Sequence, residues 1–412
     1  MNLIMKERNQ GLVKVETGSI ITPKGFSATG IHMGMKRKRN DLGAIVCEVP
    51  ADSAAVYTLS HMQAAPLKVT KESLAKDGKL CAVVINSGVA NACTGKRGLE
   101  DAYEMRKQAA KHFGLNEDRV AVNSTGVIGD YLPMNTIIEG IQKLSPSTDQ
   151  DQADQFCEAI LTTDTVTKQT CYETTIDGKT VTMGGAAKGS GMIHPNMATM
   201  LGFVTTDAKV NHQHLHRALR EVTDMTFNRI TVDGDTSTND MVLAMASGLA
   251  GNEELTPEHS EWPVFVEMLR KTCEDLAKMI ARDGEGATKL IEVEVAGAKN
   301  DQEAGHVAKQ IAGSDLVKTA MFGKDANWGR IIGAIGQSNA FIDPDHIDIS
   351  LGPISVLADS ESIEFSEDDA IKYLGQDTVK VSVDLHVGDG YAMAWGCDLT
   401  YEYVRINASY RT

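Results

Sequence analysis

The run LCAVVIN at residues 80–86 is the feature that most narrows what this chain can fold into. A nearly unbroken apolar stretch of strand length reads as a buried strand, which other layers of structure must cover. A helical pattern follows at residues 99–113, apolar on one face and stopped by Gly114. The first 140 residues repeat this alternation of short apolar runs and helical patterns, as an α/β or α+β chain does. Strict alternation returns late, at residues 290–295 (LIEVEV) and 378–387 (TVKVSVDLHV). It predicts half-buried antiparallel strands with one wet face, the first preceded by a helix over residues 264–282.

A length of 412 residues allows one large or two medium domains. No repeat, heptad run or low-complexity segment is visible, and the most loop-like stretches, residues 251–263 and 296–305, do not read as interdomain linkers. The 37 glycines against 10 prolines point to many tight turns. A net charge of -16 repels nucleic acid phosphates and anionic membranes, and the compact basic run at residues 36–39 (KRKR) reads as a short solvated loop. The first ten residues lack an apolar stretch of signal-peptide length. Nothing later reaches the roughly 20 apolar residues that span a bilayer, so a cytoplasmic location is expected. Seven widely spaced cysteines without a C-x-x-C pair or zinc-spaced histidines are expected to be reduced and mostly buried; Cys93 is the candidate thiol nucleophile.

Small and polar residues are densest at residues 184–208, GGAAKGSGMIHPNMATMLGFVTTDA. The glycine-rich start excludes a helix, and residues 200–204 read as a buried strand. Thr199, preceded by Ala198, stands where that strand begins. If the Ala198–Thr199 bond were cut, Thr199 would carry a free α-amine with a reference pKa of about 7.7 to 8.0, able to accept the proton of its own hydroxyl. Without further context, β-propensity and packing also select a threonine at a strand start. A phosphate-cradling loop is a rival reading of the glycines, but Lys188 precedes Gly189 and Ser190 with no glycine before it, unlike G-x-x-x-x-G-K-[ST].

The segment KGSGMIHPNMATML resembles the autoprocessing segment of the ornithine acetyltransferase family, also called glutamate N-acetyltransferase, of arginine biosynthesis. The resemblance extends to NSGVANACTG, NSTGVIG, FNRITVDGDTSTND, ARDGEGATKL and FGKDANWGRIIGAIG, which together cover most of the chain. It implies a layered αββα-type sandwich and cleavage between Ala198 and Thr199. The two chains, residues 1–198 and 199–412, would remain interleaved in one catalytic unit and assemble as a heterotetramer. Thr199 is then the nucleophile that moves acetyl from N-acetylornithine to glutamate, and Thr125 and Gly126 of NSTGVIG form the oxyanion hole. Substrate-binding positions carried over are Thr162, Lys188, Thr199, Glu285, Asn407 and Thr412. A cation such as Lys188 suits the substrate carboxylate and an acid such as Glu285 suits ornithine's ammonium. No cofactor and no metal are implied, and acetyl-CoA is left open as a second acetyl donor. Val89 departs from the family pattern, where a second asparagine is expected.

Other blocks read more plainly. Residues 232–240 (VDGDTSTND) are oxygen-rich but lack the EF-hand order, so a hydrogen-bonded turn beside the site is expected. Residues 343–349 (DPDHIDI) read as a charged surface turn. The tail YEYVRINASYRT lacks the polar run of a disordered end; its tyrosines and Val404 are expected to dock it, and a final edge strand is the alternative. Three other functions stay open at this point: an N-terminal-nucleophile amidase or aminopeptidase, a small-molecule kinase, and a ligand-binding protein without chemistry.

Overall fold

The computed structural model describes residues 11–194 and 200–409. Nine strands form one sheet: β1 (Val13–Lys14), β2 (Phe26–Ile31), β3 (Leu42–Tyr57), β4 (Lys79–Val89), β5 (Val120–Val127), β6 (Lys168–Ile176), β7 (Lys179–Lys188), β8 (Leu201–Thr206) and β9 (Met241–Ala246). Their order is β1-β6-β7-β8-β9-β3-β4-β5, with β2 also on β3. The long strand β3 makes the sheet fold over. Its register with β4 breaks between Val46 and Ala51; residues before the break pair with β2 and β4, and residues 52–57 pair with β9.

The two halves of the sheet face each other across a shared core. Ile45, Val83 and Ile85 from one half meet Leu201, Phe203 and Leu243 from the other. Phe156 of the helix Gln150–Ala159 fills the same core, its ring 5.7 Å from that of Phe203. Helices cover both outer faces. The side holding β4 and β5 takes Val69 of α1 (Ala65–Asp77) and Met105 of α2 (Gly95–Phe113). Leu219 of the helix His212–Met225 and Leu269 of the helix Trp262–Arg282 cover the side holding β7, β8 and β9. The result is the expected helix, sheet, sheet, helix layering. A second sheet of six strands, built on β-strands Leu290–Ala298, Thr378–Asp384 and Gly390–Cys397, has its own core against the helix Asp301–Gly313 and joins the main core through Trp395 and Cys397.

The buried strand at residues 80–86 is the middle of β4. Helix α2 ends at Gly114, whose φ of 68° is left-handed, but begins at Gly95, before the apolar pattern does. The two late strands are half-buried and each has an antiparallel neighbour, Gly390–Cys397 beside Leu290–Ala298 and Asp348–Leu351 beside Thr378–Asp384, while they pair parallel with each other because the chain returns through helices and a hairpin. Two expectations need correction. Residues 296–298 remain in the strand Leu290–Ala298, and a helix capped by the Asn300 side chain starts at Asp301, so the loop between is short. The tail residues Tyr401–Ser409 are a helix, with Tyr401 and Val404 84% and 65% exposed. Two tyrosines still dock it as expected, Tyr403 by its bond to Asp233 and Tyr401 by its ring edge-on to Phe322 at 5.8 Å, and Asn407 bonds Glu285.

All seven cysteines are free, and only Cys93 is exposed. Among the described residues no helix is long and apolar enough to cross a membrane.

Candidate active site

The ends of three strands create the site. Lys188, the last residue of β7, pairs with Leu201, the first of β8, and Leu201 pairs with Met241, the first of β9. Met200 is buried, and its carbonyl accepts a hydrogen bond from the Met241 amide at 3.1 Å. Ala198, Thr199 and Thr412 lie outside the described residues.

Beside this edge, the end of β5 is held against the residues that precede β9. The Asn239 side-chain amide donates to the carbonyls of Ala90 (2.6 Å) and Ser124 (2.8 Å), and Asn123 donates to the Asn239 carbonyl. Thr125 and Gly126 follow directly. Gly126 has φ +130°, and a Cβ there would stand 2.3 Å from the Gly88 carbonyl carbon, so only glycine lets the two strands come this close. At Val89, where an asparagine was expected, the backbone carbonyl accepts from Asn86 at 2.9 Å, so the turn keeps a polar tie without that side chain.

Lys188 donates to the Thr162 hydroxyl at 2.8 Å and lies 4.0 Å from Asp164. Asp164 is fully buried and accepts from the Gly189 amide (2.6 Å), the Thr162 amide (2.9 Å) and Lys168 (2.8 Å). Lys168 also reaches Asp283 at 2.6 Å. Burial alone would raise the Asp164 pKa, but the Lys188 and Lys168 charges and the two amides hold it below the usual carboxylate range. Glu285 takes its place through its own amide, which donates to the Ser190 carbonyl at 2.9 Å. Its carboxylate fits against Gly191, where a Cβ would come within 2.4 Å, and accepts from Asn407 at 2.7 Å. Thr163 and Ser190 share a hydroxyl contact of 2.7 Å.

Thr162, Lys188, Glu285 and Asn407 are therefore drawn together around residues 189–191, although they lie far apart in sequence and on both sides of position 199. The turn at residues 232–240 sits next to them. Asp233 accepts from the amides of Met192 (2.6 Å) and Ile193 (2.8 Å) and from the Tyr403 hydroxyl, as expected of a hydrogen-bonded turn. Of residues 343–349, read as a charged surface turn, 343–346 form the turn, with exposed His346 3.5 Å from Asp359, whereas Ile347 is buried and Asp348 begins a strand that runs to Leu351.

Sequence reasoning missed several residues. Asp164, Lys168 and Asp283 form the buried ion network beneath the site, and Asn239 ties its two halves. Asp240 is fully buried with Oδ2 unpartnered among the described residues, and burial raises its pKa well above the ordinary value. Nothing in the spacing of these charges sets them apart from surface charges. The signals available were proximity in sequence: Asp164 lies two residues from Thr162, Asp283 two from Glu285, and Asn239 and Asp240 fall within the turn at residues 232–240.

The ArgJ family model matches residues 27–412. The chain belongs to the ArgJ family. As the resemblance implied, it is an acyltransferase of arginine biosynthesis. It is 66% identical over 398 residues to the arginine biosynthesis bifunctional protein ArgJ of Geobacillus kaustophilus, covering 97% of each chain. It is likewise 66% identical over 413 residues to the protein of that name from Halalkalibacterium halodurans, covering all of both. Among solved structures, it is similar to the Bacillus halodurans arginine biosynthesis bifunctional protein (66% identity, 45% of this chain and 98% of that one, TM-score 0.45). Another is ornithine acetyltransferase complexed with ornithine from Mycobacterium tuberculosis (34% identity, 45% of this chain and 100% of that one, TM-score 0.42).

Proposed function

We propose that this ArgJ-family chain is a glutamate N-acetyltransferase that cleaves itself between Ala198 and Thr199 and then works through an acetyl ester on Thr199. The observation that carries this reading is that Lys188 and Glu285 both border the short segment at residues 189–191. A cation and an acid from opposite sides of the cut, joined through Ser190, suit a ligand with a carboxylate at one end and an ammonium at the other. Ornithine is such a molecule, and glutamate offers a carboxylate to the same cation.

The chemistry is ping-pong. The Thr199 hydroxyl adds to the acetyl carbonyl of N-acetylornithine while its proton passes to the freed α-amine of Thr199. The Thr125 hydroxyl and Gly126 amide stabilise the oxyanion, Lys188 and Glu285 orient the amino acid, and collapse expels ornithine carrying the proton. Glutamate's amine then attacks the ester, releasing N-acetylglutamate and restoring the threonine. Asn407, Thr162 and Thr412 complete the substrate seat. No cofactor or metal takes part, and acetyl-CoA serves as a second donor to the same threonine. The halves 1–198 and 199–412 stay interleaved and pair as a heterotetramer in the cytoplasm.

A direct test is incubation with N-acetylornithine alone, then digestion and mass analysis. Acetyl should appear on the peptide that begins at Thr199 and disappear when glutamate is added. Acetyl on Cys93, or on no peptide, would exclude the mechanism.

A further inference from the structure

The basic run at residues 36–39 is a solvent-facing loop, as its composition suggests, but its backbone is held in place. The fully buried carboxylate of Asp41 accepts the amides of Met33 (2.6 Å), Gly34 (3.2 Å) and Lys36 (2.8 Å), and so fixes the backbone of the loop from inside. Lys36 donates to the Leu161 carbonyl at 2.9 Å, and Arg39 donates to the Asp164 carbonyl at 2.7 Å. These two bonds clamp the loop across the segment that carries Thr162. On its other side, Met35 and Lys36 bound the space over Gly88, 3.5 and 3.8 Å from where a Cβ would be, and Gly88 is the register partner of Gly126. The loop thus spans the gap between the oxyanion-hole strand and the substrate seat.

Its charges are mostly unspent. Arg37, Lys38 and Arg39 are exposed, and the first two make no hydrogen bond or ion pair among the described residues. Residues 36–39 line an open cavity of about 650 Å³. The acids facing the loop are Asp41, already saturated by amides, Glu158, which accepts the Asn40 amide at 3.4 Å, and Asp164, whose carboxylate is engaged by Lys168. On a chain of net charge -16, four consecutive cations clamped to the segment that carries Thr162 form a local field that attracts a polyanion. N-acetylornithine and glutamate are too small and too weakly charged to need it.

We propose that the loop at residues 36–39 holds the phosphates of acetyl-CoA, with Arg37 and Lys38 as the principal anchors and the thioester directed toward Gly126. This rests on the proposed transferase reading and names the seat of its second donor. The acetyl group passes from the thioester sulfur to the Thr199 hydroxyl oxygen, the C–S bond breaks, and the thiolate takes the proton lost by threonine, so coenzyme A leaves as the free thiol.

The test compares wild type with the double variant Arg37→Glu/Lys38→Glu in two assays, glutamate acetylation from acetyl-CoA and from N-acetylornithine. The KM for acetyl-CoA should rise about tenfold or more in the variant, as expected for reversal of two anchoring charges, while the N-acetylornithine route changes less than about twofold. Acetylpantetheine, which has no phosphate, should be an equally poor donor for both proteins. An unchanged KM for acetyl-CoA overturns the proposal. So does a wild type that transfers from N-acetylornithine but not from acetyl-CoA, or one that uses acetylpantetheine as well as acetyl-CoA. If neither donor is used by the wild type, the transferase reading itself falls, a result distinct from the others.

Discussion

Lys168 lies 2.8 Å from Asp164 and 2.6 Å from Asp283, with no solvent access to the lysine, and this buried bridge supports the loop from which Thr162 faces Lys188. Removing Asp164 would leave Lys168 with Asp283 as its remaining partner and would take from Lys188 the acid that lies 4.0 Å away. Asp164→Asn should lower stability by about 3–5 kcal/mol, read from urea denaturation at pH 7; a change below about 1 kcal/mol would mean the network is not ionised as described.

The pH dependence follows from the same residue. The folded pKa of Asp164 is depressed, so its contribution is complete above the unfolded value of about 3.9 and is lost as pH falls through the lower folded value. Acid denaturation of the wild type should therefore steepen below about pH 4, and that component should be missing in Asp164→Asn. Identical acid limbs for the two proteins would contradict this.

Asp240 has the opposite sign. Burial raises its folded pKa, so the unfolded chain loses the proton first and stability declines as pH rises above about 4 toward the folded value. Asp240→Asn cannot titrate and should equal or exceed the wild type in urea midpoint at pH 8. A lower midpoint at pH 8 would show that the carboxyl is ionised and paired.

Thr125→Ala keeps the backbone of β5 but removes the hydroxyl proposed to stabilise the oxyanion. The expected loss in kcat is on the order of 10² to 10³, with little change in thermal midpoint. Gly126→Ala should cost both activity and stability, because its Cβ would collide with Gly88. Full activity in either variant would move the oxyanion hole elsewhere.

Local pattern made much of the main sandwich legible. The apolar run of β4, the amphipathic α2 with its terminal Gly114, and the apolar run of β8 are each written within one segment, and each forms the expected element, although α2 starts four residues earlier than its apolar pattern. What stayed hidden depends on contacts distant in sequence. Alternation in LIEVEV could not say which neighbour would run parallel, because that is set by the connection between strands. The bend of β3, which folds the sheet into two layers, comes from a register break that leaves no period of its own. In the site, the small residues around Gly191 pointed to the right region, whereas Asp164, Lys168 and Asp283 looked like any other charges until folding buried them. The basic loop is solvent-facing, as its composition suggests; what composition could not show is that the Asp41 anchor and the Leu161 and Asp164 carbonyls fix it.

The account depends on one bond. Intact mass and N-terminal sequencing of the purified protein, alongside Thr199→Ala, test it without assuming any substrate. Two fragments are predicted for the wild type, the second beginning Thr-Met-Leu-Gly, and a single uncut, inactive chain for the variant. An uncut wild type that transfers acetyl, or a cleaved or active Thr199→Ala, would contradict the assignment of Thr199 as nucleophile.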